Sequence, residues 1–178
     1  MIEGKFTVGV VVNNHFGVLN RVTGLFSKRG YNIDSLAVGE TENPAYSRIT
    51  LVCTGGAYMR EQVVRQLEKL HDVISVALLG DDTTIFSEHL LIKINVTDGT
   101  RAEISGLVNR YGGMARDFGA DFITAEVTAS SERIDRFIQH ARPFGILELC
   151  RSGTLAVSHG RECMLEAPGQ ESSLISKF

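Results

Sequence analysis

Asn14, Gly17 and Asn32 are the positions of this chain best suited to hold a small polar molecule. They fall in a run from Val10 to Asp34 that reads as an apolar strand, a polar turn, one amphipathic helix and a second strand after a glycine stop. A turn in that place leaves backbone N–H groups free at a helix N-terminus. Together these carry about half a positive charge and can seat a small anion such as a carboxylate. Gly17 lacks the Cβ that would crowd a ligand lying against the backbone. The amides of Asn14 and Asn32 offer both donors and acceptors to the amino and carboxyl groups of such a ligand. The same residues also suit purely structural work: Gly17 as a tight turn, Asn14 as a helix cap, Asn32 as the holder of the turn after Gly30.

No acid–base pair, nucleophile or metal cluster accompanies them, so the expected chemistry is sensing, not turnover. Asp81-Asp82 lies in a stretch that reads as a linker, where a paired-carboxylate mechanism would need a cleft. Gly55-Gly56 and Gly112-Gly113 lack the spacing and trailing lysine of a phosphate loop. His159 and Cys163 have the spacing of two ligands one helical turn apart, but a structural zinc site wants four. His15, His71, His89 and His140 are isolated and read as surface or cap residues, while Cys53 and Cys150 read as buried thiols in apolar strands. Three widely spaced cysteines fit free thiols in a reducing cytoplasm. A net charge of −3 gives no electrostatic reason to expect nucleic acid, and no apolar run approaches the roughly 18 residues that span a bilayer. Met1 to Lys5 enters a strand almost at once, which leaves no room for a targeting peptide.

The elements that would position these residues follow from periodicity. Strands are expected over Phe6–Val12, Ile33–Glu40, Arg48–Cys53 and Val73–Leu79, with helices from Gly17 and around Met59–Leu70. Lys28 and Arg29 sit in the last turn of the first helix, and Gly30 can take the left-handed stop conformation. Gly24, in mid-helix, costs about 1 kcal/mol against alanine and implies close packing there. The order βαββαβ then recurs: strands at Leu90–Val96, Ala115–Phe118, Phe122–Thr128 and Ile146–Val157, helices at Arg101–Tyr111 and Glu132–Ala141. A shift of 82 residues superposes Gly17 on Gly99, Val22 on Ile104, Gly24 on Gly106, Leu25 on Leu107 and Gly30 on Gly112. The fold class is therefore α+β, two ferredoxin-like βαββαβ domains in tandem. The expected divisions are 1–79, a linker at 80–86, a second domain at 87–160 and a flexible tail at 161–178. Strands as apolar as Val8-Val10-Val12 and Ile49-Leu51 imply that the sheet face away from the helices is covered by partner subunits or by the neighbouring domain. They also lack the stacking aromatics of an RNA-recognition domain, which shares this strand order.

Phe16 to Leu36, continued by Ser47-Arg48-Ile49-Thr50-Leu51, resembles the N-terminal ACT domain of the small, regulatory subunits of acetolactate synthase. Arg151-Ser152-Gly153 resembles that family's second domain, and the likeness spans about residues 5–160. Asn13 and His15 stand where the family usually has acidic residues. The resemblance implies a cytoplasmic homodimer whose first domains pair and bind valine, or a related branched-chain amino acid, at their interface. It implies effector contacts from Asn14, His15, Phe16, Gly17, Val18 and Leu19, from Asn32 and Ile33 across the interface, and from Gly39 close by. It further implies that this chain is not catalytic and carries no cofactor. Thiamine diphosphate, Mg and FAD are expected on a separate large subunit, which joins two pyruvates or pyruvate and 2-oxobutyrate. A stand-alone amino-acid-binding ACT regulator with another partner is the alternative.

Overall fold

The computed structural model describes residues 4–165. The chain divides into two units, residues 4–85 together with 156–165, and residues Phe86–Leu155. In the first, the elements run β1 (Gly4–Asn13), α1 (Val18–Arg29), β2 (Ser35–Glu40), β3 (Tyr46–Gly55), α2 (Ala57–Leu67) and β4 (Val73–Leu79). The order repeats as β5 (Thr84–Asn95), α3 (Arg101–Arg110), β6 (Met114–Phe118), β7 (Phe122–Ala129), α4 (Ser131–Ala141) and β8 (Ile146–Ser158), with a short 3-10 turn at Arg142–Phe144. Each half forms a four-stranded antiparallel sheet, ordered β2-β3-β1-β4 and β6-β7-β5-β8. These are tandem ferredoxin-like domains.

The periodicities anticipated this arrangement because each element buries one face. Val22 and Ile104, equivalent under the 82-residue shift, are both completely buried, and Gly30 and Gly112 both take positive φ where their helices end. At Gly24, by contrast, an added Cβ would meet nothing within 4 Å, so packing inside the chain does not require that glycine.

Which face of the first sheet is apolar, and why, differs from the sequence reading. Val8, Val10, Val12, Ile49 and Leu51 form the core beneath α1 and α2; they report nothing about the opposite face. That face carries the alternate residues Gly9, Val11, Thr50 and Val52, which are buried as well. Part of their cover is the chain itself. Met164 is buried, and a Cβ added at Gly9 would strike its sulfur at 2.6 Å. His159 N donates to Thr83 O at 2.9 Å, tying the returning segment to the end of the β4–β5 turn. The stretch expected to be a flexible tail from residue 161 therefore begins with a packed segment through Leu165; its remainder lies outside the described residues. β5 begins at Thr84, inside the stretch read as a linker.

Other local readings are corrected too. Cys150 is exposed, while Cys53 is buried, and burial, with Asp34 nearby, pushes its thiol up to about 11. Among the described residues no group of His, Cys, Asp and Glu is arranged to hold a metal ion, and no helix is long and apolar enough to cross a membrane.

Candidate effector-binding turn

Three consecutive turn residues connect β1 to the last position before α1, and the local sequence dictates how. Gly17 has φ +87°, a left-handed conformation that costs an ordinary L-residue about 1–2 kcal/mol. The helix that follows has no side-chain cap and no acidic residue in its first turn, so nothing within it neutralises the positive N-terminus. Asn14 is not the cap. Its Nδ2 donates to Glu40 Oε1 and to Pro44 O, both at 2.9 Å, and its backbone N–H donates to Ala45 O at 2.7 Å.

The turn is held from the other side by Asp72, in the α2–β4 connection. Asp72 is buried, and its carboxylate accepts from Arg21 on α1 and bonds His15 Nε2 at 3.0 Å. Its backbone carbonyl accepts from Asn13 N at 2.8 Å. Burial opposes the charge on Asp72, but the hydrogen bonds from Arg21 and His15 outweigh it, and the carboxyl sits below its usual range. Neither Arg21 nor Asp72 stood out in the sequence. Arg21 looked like an ordinary exposed helix residue and Asp72 like part of a solvated loop. The only available signal was that Gly17 and Arg21, four residues apart, share a helix face.

Of the residues anticipated from sequence, His15, Phe16, Gly17 and Leu19 come together. With Asn20 and Thr23 they line an open concavity of about 550 Å³. Phe16 is fully exposed and Leu19 partly so, which leaves apolar surface at the mouth. Val18 instead points into the core. Asn32 bonds Asp34 Oδ1 at 2.6 Å, and Ile33 packs against the core. Both lie beyond the C-terminal end of α1, a 12-residue helix about 18 Å long, so neither reaches Gly17 within one chain. Gly39 sits on β2 in register with Arg48 of β3 and does not line this concavity.

Residues 8–75 match the AHAS small subunit-like ACT domain, and residues 87–160 match the family described as the small subunit of acetolactate synthase. The chain is 39% identical over 159 residues to the acetolactate synthase small subunit of Bacillus subtilis, covering 89% of this chain and 92% of that protein. It is 38% identical over 154 residues to the protein of the same name from Mycolicibacterium smegmatis, covering 86% and 91%. The crystal structure of the acetolactate synthase small subunit from Thermotoga maritima superposes with a TM-score of 0.83 at 29% identity, over 89% of this chain and 99% of that one.

Proposed function

Because this chain belongs to the acetolactate synthase small-subunit family, we propose that it activates a separate catalytic large subunit and makes that enzyme sensitive to valine or a related branched-chain amino acid. The observation that carries this reading is the open N-terminus of α1: positive, uncapped, free of acidic residues, and facing a concavity with exposed Phe16 at its mouth. An amino acid's carboxylate suits the N–H groups at Gly17 and Leu19, Val18 N being turned to His15 O at 3.4 Å. Its side chain suits the apolar surface of Phe16 and Leu19, where burial of a valine-sized group is worth about 1.5–3 kcal/mol.

Two copies of the chain complete the site in this reading. Asn32 and Ile33 cannot approach the turn of their own chain, but side-by-side pairing of two first domains brings them to the partner's turn. The Asp72 tether keeps the turn preformed, so that little binding energy is lost to ordering it. Ligand bound between subunits then shifts the large subunit's activity by favouring one arrangement of the pair, an effect typically worth about 1–3 kcal/mol. The chain itself is non-catalytic and cytoplasmic in this proposal, and thiamine diphosphate, Mg and FAD stay with the large subunit.

The test is acetolactate formation by the purified large subunit across a valine titration, with and without this protein. Stimulation that valine reverses is expected; no change in rate or valine response would refute the proposal. Gly17→Asp places a carboxylate where the ligand's own would sit. It is expected to weaken valine binding by at least about tenfold, or 1.4 kcal/mol, and unaltered binding by this variant would move the site elsewhere.

A further inference from the structure

The face of the first sheet away from its helices holds a second cavity, unconnected with the effector reading of the turn. It has a volume of about 250 Å³. Arg48 and Val11, cross-strand neighbours on β3 and β1, form its floor, and Glu40, Thr41 and Glu42 form one side. Val157, Cys163, Met164 and Leu165 of the returning segment, all part of the first unit, complete the lining.

Arg48 makes this cavity unusual. Among the described residues its buried Nε and Nη2 have no hydrogen-bond partner, and burial lowers its pKa from the ordinary value. A desolvated guanidinium with open donors is costly unless a planar acceptor joins it, and the acceptor that fits its fork is a carboxylate. Gly39, in register on β2, contributes no side chain beside it. Glu40 and Glu42, though they line the same cavity, leave those two donors unpartnered. The Glu42 carboxylate beside the guanidinium disfavours a simple anion and favours a ligand that also carries an ammonium group. Apart from the Thr41 hydroxyl and the Cys163 thiol, the rest of the wall is aliphatic or thioether, and the volume accommodates a molecule of valine or leucine size.

We propose that this cavity is a second binding site, specific for zwitterionic α-amino acids with a short aliphatic side chain. Arg48 takes the carboxylate and Glu42 takes the ammonium.

Cys163 in the wall is exposed and reports occupancy, with Cys150, exposed in the second unit, as the internal control. The experiment follows alkylation of the two thiols by mass spectrometry in full-length Gly17→Asp protein, whose helix-end site is blocked, without the large subunit. L-alanine, L-valine and L-leucine are added at millimolar concentration, alongside isovalerate and isobutylamine, which lack the amino and the carboxyl group of valine respectively. At least one amino acid is expected to slow alkylation of Cys163 but not Cys150, and to do so at about a tenfold lower concentration than either analogue. Adding Arg48→Met, which keeps the aliphatic stem, should abolish the protection while leaving the protein folded by circular dichroism. Glu42→Gln, at an exposed position, should weaken it. Absence of protection, equal protection by isovalerate, or protection that survives both substitutions would overturn the proposal. None of these outcomes depends on a valine response of the large subunit.

Discussion

In the first domain Gly17 precedes α1 and Gly56 precedes α2, and neither helix has a side-chain cap or an acidic residue in its first turn. In the second domain Glu103 and Glu132 stand in the first turns of α3 and α4. Ser130 caps α4 through Arg133 N, and Thr100 Oγ1 accepts from Thr97 N just ahead of α3. Two domains with the same strand order thus treat the same electrostatic opportunity differently. The second places an acidic residue in the first turn of both helices and a side-chain cap on α4. The first leaves the end of α1 positive and open.

The buried carboxylates sharpen the contrast. Each domain has one held by an arginine. Glu88 on β5 accepts Arg151 Nη2 at 2.8 Å and also Arg151 Nε, while Ser131 Oγ donates to it at 2.8 Å. Arg151 extends Nη1 to Asp135 on α4 at 2.6 Å, so one cluster joins two strands and a helix. The hydrogen bonds to Glu88 hold the Arg151 guanidinium even more firmly protonated than usual. Asp72 instead joins a helix and a loop, and the loop is the candidate binding turn. One network braces a fold; the other positions a site.

This comparison can be broken by measurement. Glu88→Ala should cost the most, about 3 kcal/mol, because it removes the buried partner of Arg151, leaving it only Asp135, and opens a cavity in the second domain. A chemical-denaturation loss below about 1 kcal/mol would remove the bracing role. Ser130→Ala should cost about 1 kcal/mol through the lost cap of α4 and leave valine binding unchanged. The smallest effect concerns Asp72 and is lost in acid. Its folded pKa lies below the unfolded value, so its stabilisation is complete above the unfolded pKa of about 4 and is lost as pH falls through the folded one. The melting-temperature gap between wild type and Asp72→Asn should therefore be constant from neutral pH to about pH 5 and shrink below pH 4. A gap that widens in acid would reverse the assigned shift.

Much of this was determined by sequence alone. Spacing of apolar residues gave eight strands and four helices in the repeated order, since each element must bury one face whatever its surroundings. Lys28, Arg29 and Gly30 ended α1 through forces that act within a turn of chain. The turn at Gly17 and the family were readable for the same reason, because their signals are contiguous. Tertiary structure decided what depends on residues distant in sequence. It set Asp72 against His15 and Arg21, 57 and 51 residues away. It brought Arg151 onto Glu88, returned Met164 to Gly9, and left Arg48 Nε and Nη2 buried without a partner among the described residues. It also decided that Asn14 holds a neighbouring loop and does not cap its helix. A side chain's type limits the partners it can satisfy, but only the folded backbone brings one within reach.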